Sequence, residues 1–364
     1  MRHPLLAATC VLFLAATAAA DDKPKPNTLT AKEVADGWIL LFDGESTFGW
    51  KIDGAAEVKD GVLILGKGKK TVAYPTTNFG VAFEYQLEAR GPGQIVSRKG
   101  FFEITTASDA WGTVRYHQTA NGSGGGGTAG GESRTTSGVT STRPELDTGA
   151  LYLETDGKAE LEIRSLKLRP LDSQPLFAGK NLDGWKVNAA DPKRMASKFA
   201  VTKDGELSVK NGPGDLVTEK EFANFVLQFE CKTLGDGLNS GIFFRCIPGQ
   251  YQNGYEAQVQ NAFLDNDRTK PKDFGTGAIY RRVATRKVVS NDNEWFTMTV
   301  VADGRHIATW VNGYQTVDWT DDRKENDNPR QGFRAAKGPL SIQGHDPTTD
   351  LLFRNIRVAE LPAK

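Results

Sequence analysis

Leu41-Phe42-Asp43-Gly44, followed by Gly49-Trp50-Lys51, returns as Leu176-Phe177-Ala178-Gly179 and Gly184-Trp185-Lys186, at a constant offset of 135 residues. Further pairs keep the same order: Lys59-Asp60-Gly61 with Lys203-Asp204-Gly205, Asn78-Phe79 with Asn224-Phe225, and 163–168 with 353–358. The offset reaches 190 at the closing pair, so the second copy carries about 55 additional residues. A chain that repeats itself once over such a period must build one unit twice. The units expected are 29–171 and 172–362, joined around Pro170 to Pro175 and preceded by a short linker, 21–28.

Both units read as strands. Val62-Leu63-Ile64-Leu65 and the runs 80–87, 225–231, 295–302 and 306–312 are short, rich in aromatic and β-branched residues, and bounded by Gly, Asp and Asn. Asp303-Gly304 and Asn312-Gly313 are tight-turn signals between them. One helix is expected from Thr30 to Ala35, with Thr30 as N-cap, Glu33 completing a capping box and Gly37 as the stop. So many strands with so little helix imply two all-β sandwich domains in tandem. The low-complexity run 121–141, with Gly124 to Gly127, reads as a mobile loop.

Arg2 and His3, an apolar run from Leu5 to Ala16 and Ala18-Ala19-Ala20 have the order of a secretory signal cleaved near Ala20. An exported protein, periplasmic or extracellular, is expected, without a membrane span. The 45 basic and 45 acidic residues balance, which argues against nucleic acid as the main partner. Cys231 and Cys246 lie on neighbouring strand-like runs, so a disulfide and two buried thiols are both compatible readings. The histidine spacing gives no zinc motif. Asp265-Asn266-Asp267 leaves room for a divalent cation such as calcium but lacks the EF-hand spacing, and a solvated loop explains it as well.

Residues two apart in a strand share a face. On that rule Glu256, Gln258 and Gln260 point together, as do Phe243 and Arg245, and Ser341, Gln343 and His345. A solvated sheet face normally carries Lys, Glu and Thr. These faces carry long amides with one acid and one guanidinium, which suit a hydroxyl-rich ligand needing paired donors and acceptors. Trp295, Trp310 and Trp319 offer a sugar-stacking surface, with core packing as the competing role. Arg281-Arg282 and Arg286-Lys287 read as flanks of a surface strand.

The motifs Asn239-Ser240-Gly241-Ile242-Phe243-Phe244-Arg245, Gly254-Tyr255-Glu256-Ala257-Gln258-Val259, Gly277-Ala278-Ile279-Tyr280, Asn293-Glu294-Trp295, Val311-Asn312-Gly313 and Phe353-Arg354-Asn355-Ile356 occur in this order. Together they resemble the 3-keto-disaccharide hydrolase domain family across 172–362. That resemblance implies a concanavalin A-like jelly roll with a carbohydrate site on its concave face. It also implies cleavage of glycosides already oxidised at sugar carbon 3. The first copy departs from the pattern. It places Arg98 where Arg245 would fall and Phe102-Glu103-Ile104 near Tyr255-Glu256-Ala257, but Gln94-Ile95-Val96-Ser97 replaces the Asn239 motif. It is read as a degenerate partner of the second domain.

A 3-ketone acidifies the C2 proton, and the resulting enolate can expel the group at C1, with water adding back afterwards. The route needs a base, a cation for the enolate oxygen and an acid for the leaving oxygen. Glu256 is the expected base, His345 the alternate base or the acid, and Arg245 the oxyanion stabiliser. Asn239, Ser240, Gln258, Gln260, Tyr280 and Gln343 are the expected substrate contacts. An ordinary glycosidase would need two flanking acids, and no strand face supplies a close pair. Two other classes use the same fold: a non-catalytic carbohydrate-binding module, and a structural cell-surface domain. A tuned ionisable group in a pocket separates the enzyme from the module, and the structural reading predicts no deep pocket.

Overall fold

The computed structural model describes residues 26–97, 100–105, 110–119, 122–128, 135–136 and 151–362. Strands up to Leu161–Pro170 form a seven-stranded and a six-stranded sheet, and strands from Gln174–Pro175 onward form an eight-stranded and a five-stranded sheet. The ladders between strands are antiparallel, as all-β jelly-roll sandwiches require. The expected signal segment and Arg98 lie outside the described residues.

The repeated Gly-Trp motif does the same work in each half. Trp50 Nε1 donates to Leu41 O at 2.5 Å, and Trp185 Nε1 donates to Leu176 O at 2.8 Å. Each bond satisfies a buried indole while tying the opening strand to the chain nine residues earlier. The helix is Ala31–Ala35, with Thr30 as N-cap and the reciprocal Glu33 bond of a capping box.

Period-two alternation decides what the eight-stranded sheet touches on each side. Phe225, Leu227, Phe229 and Cys231 face the second half's own core, against Ile242, Phe244, Ala257 and Ile342 of the five-stranded sheet. Val226, Val301, Ala308 and Trp310 point the other way and join the core of the first half. Each such burial stabilises by roughly 1.5–3 kcal/mol. Polar contacts lock the same junction: Trp310 Nε1 to Leu40 O at 3.0 Å, Asn78 Nδ2 to Asp303 at 3.0 Å, and Arg286 to Asp43 at 2.5 Å. The first half thus packs against the eight-stranded sheet of the second, on the side away from the five-stranded sheet.

Two expectations are corrected, and the alternative left open for the cysteines is decided. Gly122–Thr128, inside the run read as a mobile loop, is a strand paired along its length with Gly112–Thr119. A β-ladder is made by backbone groups, so a glycine tract can serve as an edge strand without any side chain to signal it. The hairpin after Phe296–Asp303 turns at Gly304-Arg305, because Asp303 still pairs with His306. Cys231 and Cys246 are both buried and free. The second turn is as expected: Asn312 and Gly313 take φ of 48° and 80°, the left-handed pair that a two-residue hairpin demands. Among the described residues no helix is long and apolar enough to cross a membrane.

Candidate active site

The five-stranded sheet runs in the order Trp185–Val187, Gly214–Phe222, Gly338–Gly344, Ser240–Phe244, Tyr255–Val259. Its register maps the outer face. Val217 lies opposite Ser341, Ser341 opposite Phe243, and Phe243 opposite Glu256, forming one cross-strand row. In the next row Asp215 pairs with Gln343, and Gly241 pairs with Gln258. Directly opposed residues of an antiparallel sheet share a face, so both rows look outward together.

A cavity of about 550 Å³ opens on this face. The sheet contributes Phe243, Tyr255, Glu256 and Gln343, with His345 just past its strand. The turn before Tyr255 adds Tyr251, Gln252 and Gly254, and loops add Arg194, Tyr280, Arg281, Arg282 and Arg330. Tyr280 is held at the site by its backbone N–H, which bonds Glu256 O at 3.0 Å and ties the 276–280 segment along the edge of the sheet.

Glu256 is the chemical centre of this cavity. It is 6% exposed, and among the described residues no hydrogen bond reaches its carboxylate. Burial, and then the charge of Asp273, push the carboxyl from 4.5 up to about 8, against the pull of Arg281 and Arg330. The space it occupies comes from Gly241, which puts no side chain between Gln343 and Gln258 in its row. Beside it, Gln343 Nε2 donates to Gln252 Oε1 at 3.0 Å, while Gln343 Oε1 and Gln252 Nε2 are buried without a partner among the described residues. Asp215 Oδ1 is likewise unpartnered, although Oδ2 accepts from Ser341 Oγ at 2.8 Å. Burial pushes the Asp215 carboxyl up. Unpaired buried polar atoms are costly, and a cluster of them beside a cavity is a place for a polar ligand.

Of the residues expected from sequence, Glu256, His345, Tyr280 and Gln343 meet in the cavity. Arg245 does not. The strand ends at Phe244, and Arg245 has φ of 50°, which turns its side chain out of the alternation. Its guanidinium is fully buried and donates to Ala223 O at 2.7 Å, Gly304 O at 2.8 Å, Arg334 O at 3.3 Å and Asn224 Oδ1 at 3.0 Å. It pins loops together and is not the oxyanion group.

Asn239, Ser240, Gln258 and Gln260 do not line the cavity. Asn239 and Gln258 both donate to Asp273 Oδ2, at 2.8 and 3.4 Å. Ser240 Oγ donates to Gln343 O at 2.7 Å, and Gln260 Nε2 donates to Gly237 O at 3.2 Å. The extra chain of the second copy folds over this end of the face. The tryptophans are elsewhere too: Trp310 is in the junction with the first half, Trp319 packs on the core, and Trp295 lies under Arg354 on the other sheet.

The residues that sequence reasoning missed are Arg194, Tyr251, Gln252 and Arg330, while Arg281-Arg282 proves to line the cavity and not merely a surface strand. Asp265 is exposed and accepts from Lys270, and the half-buried Asp267 accepts from Thr269. Among the described residues no three His, Cys, Asp or Glu side chains are grouped to hold a metal ion.

The outer face of this jelly-roll sandwich thus gathers one buried carboxyl, four guanidiniums, aromatic rings and unpaired amides. Residues 172–359 match the 3-keto-alpha-glucoside-1,2-lyase-like domain, and the chain belongs to that family. Among solved structures, a candidate glycosyl hydrolase of Parabacteroides distasonis is 27% identical, covering 52% of this chain and 100% of its own, with a TM-score of 0.41. A further one from that organism is 22% identical over 52% and 94%, with a TM-score of 0.42. The carbohydrate-binding module CBM66 of Bacillus subtilis is 14% identical over 48% and 93%, with a TM-score of 0.33. No curated protein matches this chain.

Proposed function

We propose that the cavity cleaves 3-keto-glycosides by elimination across C1 and C2. The observation that carries this reading is Glu256: a nearly buried, hydrogen-bond-free carboxyl raised to about 8 at the wall of a sugar-sized cavity. A carboxylate in that state is a stronger base than one in water, and a binding module has no use for it.

Glu256 takes the C2 proton, and the electron pair moves onto the former C3 carbonyl oxygen as an enolate. Arg281, whose charge reaches Glu256, faces that oxygen. The enolate collapses to a C1–C2 double bond conjugated with the ketone, and the C1–oxygen bond breaks with its pair on the aglycone. The aglycone oxygen takes a proton from His345 or from the newly protonated Glu256. Hydration of the double bond would complete a net hydrolysis. Tyr280, Gln252 and Gln343 orient the hydroxyls. The family's description as a 1,2-lyase supports the same pair of carbons. In this reading the chain acts after export, which rests on the N-terminal sequence alone.

The test is incubation of the purified mature chain with a 3-keto-glucoside and its unoxidised parent, with and without chelator. Aglycone release from the keto form alone is the expected result. Release from neither form would leave a carbohydrate-binding module.

A further inference from the structure

The cavity holds more positive charge than an enolate explains. Its lining includes Arg194, Arg281, Arg282 and Arg330, and its one lining carboxyl is Glu256. At neutral pH a carboxyl raised to about 8 is mostly uncharged, so it neutralises little. Asp321, whose charge reaches Arg282, is itself paired with Arg323, and the direct contacts of the four arginines do not balance their charge. Arg281 lies over the Tyr280 ring at 5.2 Å and, among the described residues, has no ion pair. Arg282 donates to the carbonyls of Arg281, Pro329 and Arg330, and Arg330 donates to Gln252 O at 2.8 Å. Carbonyls orient a guanidinium without cancelling its charge. Arg194 meets Asp191 only at 4.0 Å, with both side chains about half exposed, a contact worth little.

Two of these groups converge on one turn. Arg194 lies over the Tyr251 ring at 4.8 Å, and Arg330 bonds the carbonyl of the next residue, Gln252, whose amide stands beside Gln343. A neutral sugar needs donors and acceptors but no net charge. Clustered guanidiniums repel one another, and a planar oxyanion fits their forked donors and relieves that repulsion.

We propose that the saccharide bound here is acidic, its carboxylate or sulfate held by Arg194 and Arg330 at the Tyr251–Gln252 turn. Arg282 adds to the field, and Arg281 remains for the enolate. The inference rests on the cavity being a saccharide site. It does not require that the bond be cleaved.

The experiment is calorimetric titration of the full chain with 4-nitrophenyl glucoside, glucuronide and glucoside 6-sulfate. The last two separate a carboxylate from a sulfate source. At low salt one or both acidic glycosides should bind at least about tenfold more tightly than the glucoside, and the gap should shrink at about 0.5 M salt. Arg194→Gln, at an exposed side chain, should narrow the gap between acidic and neutral glycosides several-fold. Equal affinity for all three glycosides would overturn the proposal, as would a preference indifferent to both salt and Arg194→Gln. Turnover of a keto-glucoside without acid preference would remove this inference alone. Acid preference without turnover would support it and remove the elimination chemistry.

Discussion

A Cβ placed on Gly241 would stand 2.7 Å from Glu256 Oε1 and 2.9 Å from its Cγ, so the glutamate occupies the volume that this glycine leaves empty. The two residues are diagonal neighbours on adjacent strands, since Gly241 pairs with Gln258 and Phe243 with Glu256. Gly241 is not needed for a left-handed backbone. Its role is room.

Gly241→Ala should therefore displace the carboxylate before it damages the fold. The added methyl also meets Ala257 O at 3.0 Å, so a small loss of stability is expected. The expected outcome is a fall in kcat/KM of about tenfold or more with a Tm shift of only a few degrees. Steady-state kinetics and a thermal melt on the same preparation check it.

Arg245 should behave as a structural residue. Four donors of one buried guanidinium serve four separate chain positions, and each buried acceptor left unpaired costs roughly 1–3 kcal/mol. Arg245→Lys keeps the charge but loses the planar fork, so several kcal/mol of stability should disappear. Urea unfolding measures the loss. Activity per folded molecule should stay near wild type, which an oxyanion role would not allow.

How far the sequence reaches is visible in these residues. Alternation places Glu256 and Gln258 on one face correctly, because the strand Tyr255–Val259 is regular, but Gln260 lies one residue past it. It cannot tell which part of that face the 261–291 segment covers, and Asp273 of that segment bonds Gln258. Arg245 fails for a different reason: a positive φ one residue past the strand ends the period that predicted it. The four arginines sit outside the strands, three in loops and Arg194 at the end of the 3-10 turn Pro192–Arg194, where no strand period exists; the Arg281-Arg282 doublet is visible only as charge. The Gly-Trp motif, by contrast, is legible because Trp50 and Trp185 each bond the carbonyl nine residues earlier.

Trp310 should matter to the junction and not to sugar. It is 1% exposed, lies 5.5 Å from the Phe79 ring and bonds Leu40 O. Trp310→Ala should cost roughly 3–5 kcal/mol. Tyr280→Ala, at the cavity wall, should instead weaken glycoside binding with little change in stability. Denaturant unfolding and glycoside titration of both variants separate the two roles.

Glu256 also makes stability depend on pH. Its folded form holds a proton up to about 8, whereas the unfolded carboxyl releases it near 4.5. The contribution is favourable below about 4.5 and is lost as pH rises through about 8. A gap of that size corresponds to roughly 5 kcal/mol at full ionisation. Glu256→Gln has no proton to lose, so its stability relative to wild type should rise by several kcal/mol between pH 5 and pH 9. Urea titrations at the two pH values test the sign.

The most direct test of Glu256 as the base is the pH–rate profile of aglycone release from a 3-keto-glucoside by wild type and Glu256→Gln, after subtraction of the uncatalysed rate. Wild-type kcat/KM should climb with pH and level off near 8, and the folded variant should lose about 10²–10⁴-fold together with that step. A folded Glu256→Gln protein with near-normal rates and the same profile would contradict the account and move the base to His345.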